Sequence, residues 1–136
     1  MSKLFSTGPI ENAASNPALT VIVKVLNNSA EDTLTARTVL YNLNGAKAKI
    51  AGETIYVAPL SCDYRSFEVD LLREYEIQIE IDPDNAALLS VWGLDAEARL
   101  IAAQRLVHTE LKEYPAHFKK NRKISLPGRK NRKRRR

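Results

Sequence analysis

Apolar and polar residues alternate along most of the chain between residues 18 and 113, with a period of two. The clearest stretch is 75–82, where Tyr75, Ile77, Ile79 and Ile81 alternate with Glu76, Gln78, Glu80 and Asp82. Successive side chains of a strand point to opposite faces, so this pattern predicts a strand with one apolar and one wet face. Residues 20–26 are rich in β-branched side chains, with Val21, Val23 and Val25 on one face. Asn27-Asn28-Ser29 closes that strand, and 33–43 continues the β signal. Asn44-Gly45 follows directly, a hairpin cue because both positions tolerate positive φ. Shorter segments at 46–50 and 54–57 flank Gly52. Residues 64–71 put Phe67, Val69 and Leu71 on one face, and 88–94 reads as a largely buried strand.

The last segment, 98–109, is ambiguous. Its Ala, Leu, Arg and Gln content also suits a helix, with Leu100, Ala103, Leu106 and Val107 on one face. A strand is the better reading, because seven strands at spacings of roughly 8–14 residues predict a sandwich that needs a closing partner. The expected fold is therefore all-β: a single seven-stranded antiparallel β-sandwich, Ig-like or jelly-roll-like. It spans residues 18–113, with an extended N-terminal arm over 1–17 and a polybasic tail over 114–136.

Charge sharpens this division. The chain has 136 residues and a formal net charge of +5. From Lys119 onward there are eleven cations and no acid: Lys119, Lys120, Arg122, Lys123, Arg129, Lys130, Arg132, Lys133, Arg134, Arg135 and Arg136. The preceding 118 residues hold 10 basic and 16 acidic residues, a net of −6. The tail is thus a separate element suited to an anionic partner, either nucleic acid or an acidic protein surface. Counter-surfaces on a neighbouring copy are expected at Glu68, Asp70, Glu76, Glu80 and Asp82.

Catalytic constellations are hard to find. The two histidines, His108 and His117, lack metal-ligand spacing to each other or to Cys62, the single cysteine. A Cys62–His108–Asp63 arrangement has no local support, and the five glycines are scattered singly. Asp82-Pro83-Asp84-Asn85 lacks the full calcium-loop pattern. The reading is a protein that is not an enzyme, with no cofactor and no metal. Cys62 is expected as a half-buried thiol, with cross-linking of copies as the sharper alternative. Trp92 is expected as a core residue or edge plug, with a carbohydrate platform as the alternative. Asn27-Asn28-Ser29 has the form of a glycosylation acceptor, but no secretory signal precedes it. The longest apolar run is far short of the roughly 20 residues that span a bilayer.

The arm is the second informative feature. Fully extended, 17 residues reach about 55 Å. A sandwich has edge strands with unpaired backbone groups, so an arm carrying Lys3, Leu4, Phe5, Ser6, Thr7 and Ile10 is a candidate to add a strand to a neighbour's sheet edge. Such a contact is head-to-tail and yields a homo-oligomer or an open filament.

Several runs carry a resemblance: 16–29, Tyr41-Asn42-Leu43-Asn44-Gly45, Val57-Ala58-Pro59, Tyr75-Glu76-Ile77-Gln78-Ile79, Leu89-Ser90-Val91-Trp92-Gly93 and 105–111. Over residues 16–112 the chain resembles small β-sandwich proteins of the spore surface and spore appendages of Bacillus-type bacteria. The resemblance implies a structural subunit assembled in the mother cell, where no export signal is needed. It carries over no catalytic residue, and the tail lies outside it.

Overall fold

The computed structural model describes residues 2–84 and 86–115. Among them ten strands form two antiparallel sheets packed as a sandwich. They are β1 (Lys3–Ser6), β2 (Ile10–Glu11), β3 (Thr20–Asn27), β4 (Leu34–Asn42), β5 (Ala48–Val57), β6 (Ser61–Glu68), β7 (Glu74–Asp82), β8 (Ala87–Leu94), β9 (Leu100–Val107) and β10 (Lys112–Pro115). One sheet runs β10-β1-β7-β4-β5, with β2 also paired to β7; the other runs β6-β3-β8-β9. No helix among the described residues is long and apolar enough to cross a membrane.

The seven strands β3 to β9 follow the eight segments read from the sequence. Residues 46–50 and 54–57 merge into one strand, because β5 pairs with β4 past Gly52 (Val39↔Gly52). Asn44-Gly45 does sit in a hairpin, with Gly45 at φ 92, but the last pair is Asn42↔Ala48 and the loop is five residues long. Residues 98–109 resolve as β9 followed by a 3-10 turn at His108–Glu110. Backbone pairing to β8 decides the ambiguity that propensity left open.

The core lies between the inner faces. Val21, Val23 and Val25 of β3, with Phe67, Leu89 and Val91, meet Leu34, Ala36, Leu40, Ile55 and the apolar face of β7. Leu71 departs from its expected place beside Phe67 and Val69: it is 88% exposed. The strand ends at Glu68, and the chain turns at Asp70-Leu71, so the period of two no longer applies there.

Asn27 has a structural role. It is buried, and its amide donates to the carbonyls of Asp32 (2.8 Å), Val57 (3.0 Å) and Ala58 (3.2 Å), while its oxygen accepts the Ser29 N–H. The side chain stitches the end of β3 to the end of β5 across the mouth of the sandwich. Asn27→Ala leaves those buried carbonyls short of donors and is expected to lower stability by about 1–3 kcal/mol, read from urea denaturation.

Candidate functional site: the N-terminal strand and its slot

The residues expected to form a free arm lie inside the chain's own sheet. β1 pairs with β7 on one side (Lys3↔Ile81, Leu4↔Glu80, Phe5↔Ile79, Ser6↔Gln78). It pairs with β10 on the other (Lys3↔Pro115, Leu4↔Tyr114, Phe5↔Glu113, Ser6↔Lys112). Past β1 the chain stays against β7. Thr7 N–H donates to the Ile77 carbonyl, and the Ile77 N–H donates to Thr7 Oγ1, both at 3.0 Å. β2 then pairs Ile10↔Tyr75 and Glu11↔Glu74, and Asn12 N–H donates to the Arg73 carbonyl at 2.8 Å. The segment is one interrupted strand covering the whole edge of β7. Gly8, at φ 68, makes the interruption, a conformation that glycine adopts without the Cβ penalty.

Each arm residue has a distinct hold. Phe5 and Ile10 point into the core. Leu4 and Ser6 point to the outer face yet are equally buried. Lys3 Nζ lies 3.0 Å from Glu113 Oε2 in β10, and that hydrogen bond, with the charge of Glu113, raises the Lys3 pKa.

Beneath Ser6 sits a cluster that the alternation did not announce. Glu76 and Gln78 were expected on a wet face, but both are buried. Ser6 Oγ donates to Glu76 Oε2, Gln78 Nε2 donates to the same oxygen at 3.1 Å, and Lys47 Nζ lies 2.8 Å from Oε1. Lys47 also sits 4.4 Å above the Tyr41 ring. Burial by itself would raise the Glu76 carboxyl, but the hydrogen bonds from Lys47, Ser6 and Gln78 outweigh it and hold the pKa below the ordinary carboxylate value. Glu76 is therefore committed within the chain and is not a counter-surface for a basic tail.

A second polar network anchors the far end of the segment. Asn12 Nδ2 donates to the carbonyls of Ala18, Val69 and Leu72, and its Oδ1 accepts from Ala18 N–H and Gln104 Nε2. Tyr75 Oη donates to Gln104 Oε1 at 2.6 Å, and burial pushes the Tyr75 pKa upward. Gln104 reaches this site from a break in the β8–β9 register. Gly93 gives it room: a Cβ there would lie 2.8 Å from Gln104 Oε1 and 3.0 Å from its Cβ.

His108 closes the inner side. Its Nδ1 accepts the Leu89 N–H at 3.2 Å, and its ring centroid lies 4.9 Å from that of Phe5. Next to Gly8, Pro9, Ile10, Ala14, Ile101, Ala103 and Leu106 help to line a pocket of about 380 Å³ that opens to the surface.

The remaining expectations fall elsewhere. Cys62 is exposed on β6 rather than half-buried, because it points away from the core opposite Leu26. Trp92 is not a core residue. It pairs with Ile22 and Arg105 on the outer face of its sheet, with Arg105 Cζ 5.5 Å and Lys24 Nζ 6.0 Å from its ring. Asn85, His117 and the tail cations from Lys119 to Arg136 lie outside the described residues. Among the described residues no three His, Cys, Asp or Glu gather to hold a metal ion. Lys3, Leu4, Phe5, Ser6, Thr7 and Ile10 come together along β7. Among their anchors, Asn12, Lys47 and Gln104 escaped the sequence reading, and Glu76 and His108 were named there in other roles. A Gln amid the Ala and Leu of 98–109 was the one visible hint.

No family model matches the chain, and no curated protein matches it. Among solved structures the chain is similar to Thermotoga maritima 1070, with a TM-score of 0.46 and 10% identity over 83% of this chain and 90% of that one.

His108 links the slot to pH. Burial, the main cause, lowers its pKa from the ordinary value of 6.5. The unfolded chain then binds the proton more readily, so this contribution is complete above pH 6.5 and is lost as the pH falls toward the folded value. Thermal melts between neutral pH and mild acid are expected to show this loss, and His108→Gln to lack that part of the slope. Equal slopes in the two proteins would refute the assignment.

Proposed function

We propose that this protein is a non-enzymatic structural subunit that joins copies of itself by exchanging the N-terminal strand. Residues Lys3–Ser6 of one copy occupy the slot between β7 and β10 of the next. The observation that carries this reading is the position of β1. It is an inserted strand, paired on both sides, and it leaves the slot through a Thr7-Gly8-Pro9 hinge. Exchange re-forms the same ladder and the same side-chain contacts in a neighbour, so it is nearly neutral in contact energy and is governed by concentration and hinge strain. With Asn12 still anchored, the ten residues 2–11 reach about 33–36 Å when extended. That exceeds the length of an eight-residue strand, at about 27 Å. Head-to-tail exchange produces an open fibre unless the rotation closes a ring. The spore-surface or extracellular setting implied by the sequence resemblance belongs to the same proposal.

Simple deletion of the arm opens the β7 edge and is a poor test. A cross-link specific to the exchanged register is better. Ser6→Cys and Gln78→Cys are placed on separate chains that both carry Cys62→Ser, and the chains are mixed and oxidised. Exchange predicts a disulfide-linked heterodimer, because partners in this register lie within disulfide reach. A synthetic peptide of residues 1–11 in excess is expected to suppress it. Chains that remain at 15.3 kDa at every concentration, or a cross-link indifferent to the peptide, would refute exchange.

The tail supports a second reading, a polyanion-binding element, resting on its eleven cations against a net of −6 in the remainder. Removing residues 119–136 is expected to abolish retention on heparin or DNA at low salt. If six to ten phosphates are contacted, affinity of the full chain falls roughly 10³–10⁵-fold between about 50 and 200 mM salt. Unchanged retention of the shortened chain would sink this role.

A further inference from the structure

His108 sits where the two sheets meet beside the arm. The turn His108–Glu110 carries the chain from β9 in one sheet to β10 in the other. Its imidazole touches both layers. On the β8 side, Nδ1 accepts the Leu89 N–H at 3.2 Å. The β8–β9 ladder ends at Ser90↔Val107, so this nitrogen stands in for the carbonyl that a longer ladder would supply. On the β1 side, the ring lies 4.9 Å from that of Phe5, the aromatic that β1 places in the core. One side chain thus ties β1 to the opposite sheet.

A proton decides whether that tie holds. To accept from Leu89, Nδ1 must be bare, so the neutral ring carries its proton on Nε2. A second proton makes both nitrogens donors. Nδ1–H then faces another donor, and the ring must leave Leu89 and with it the Phe5 contact. The movement reaches the slot directly. Leu111 N–H donates to the His108 carbonyl at 3.2 Å, and the next residue begins β10, the partner of β1 on its outer side. The charges facing the ring oppose each other: Glu113 of β10 favours the protonated form and Lys3 of β1 disfavours it, and the two are paired at 3.0 Å. On the turn itself, Glu110 accepts the Val107 N–H, and the facing stretch of β8, 87–90, holds no charged residue. Burial of the ring remains the main influence and favours the neutral form.

We infer that His108 is an acid-released latch, whose protonation frees β1 and β10 from the sandwich while the core between the two sheets stays folded. The latch deepens the exchange reading, and its use in joining copies rests on that reading: mild acid is then the condition that opens a slot to another chain's strand. Glu76 does not share this response. Despite its burial, the hydrogen bonds from Lys47, Ser6 and Gln78 keep it below the ordinary carboxylate value, so it stays ionised where a histidine titrates.

The test is amide hydrogen exchange on the full chain at neutral pH and at about pH 5, expressed as protection and repeated at low urea concentrations. Protection of the amides of residues 3–6 and 112–114 is expected to fall about three- to tenfold in acid. It should stay below that of Val21–Val25 and vary little with urea, the mark of a local opening. His108→Asn, which keeps an acceptor and cannot titrate, should lose the acid response. The latch is overturned if β1 has the protection and urea dependence of Val21–Val25, if its protection ignores pH, or if His108→Asn responds to acid like the parent. A dye-labelled peptide of residues 1–11 separates latch from exchange. Uptake that accelerates with the same pH dependence supports both. Uptake at a rate indifferent to pH overturns the latch, whereas lost protection without uptake upholds the latch and removes strand exchange.

Discussion

The backbone edge of β7 is the constraint on which the rest of the structure depends. Tyr75, Ile77, Ile79 and Ile81 build one side of the core, and Glu76 and Gln78 on the opposite side are buried as well. A strand buried on both faces cannot leave its N–H and C=O groups without partners. β4 satisfies one edge along residues 75–82, and the other edge requires a strand from somewhere. The N-terminal segment supplies it, from the Phe5↔Ile79 pair to the Asn12–Arg73 hydrogen bond. The need for a strand at that edge is fixed by β7, whereas the identity of the chain that provides it is not.

Buried amides do much of the remaining work. Asn27 bridges three carbonyls at one end of the sandwich, and Asn12 bridges three at the arm. In both cases a short side chain gathers loop carbonyls that no sheet ladder reaches. Gln104 extends the second network to Tyr75, and it does so only because Gly93 lacks a Cβ. These groups make the arm specific to its register. A slip by one residue would turn Phe5 out of the core and Ser6 away from Glu76.

Period-two alternation made β3, β4, β7 and β8 legible, since each lays one face along the core, whereas β5 and β6 reach it only near one end and β9, which buries only Gln104, read equally as a helix. β1, β2 and β10 were not legible, because four residues or fewer contain too few positions to show a period. The polar cluster around Glu76 was hidden for a related reason. Alternation tells which residues face away from the core, not whether that side is wet. Trp92 misled in the opposite direction: its size and the apolar run around it suggest burial, but its place opposite Ile22 and Arg105 puts it outside. Leu71 shows that the face rule ends with the strand.

β1 lies in one sheet, and the chain leaves it past Gly8 and Asn12 toward β3 in the other. The segment that the proposed exchange would move is thus held at its far end by a side chain that joins the two layers. Asn12 donates to the carbonyls of Ala18, Val69 and Leu72 and accepts from Gln104, so leaving its place would strip several buried groups of their partners at once. The residues before it lose mainly ladder hydrogen bonds and the contacts of Leu4, Phe5 and Ser6, all of which an identical slot would restore. The boundary between the part of the arm that could change partners and the part that stays therefore falls between Gly8 and Asn12.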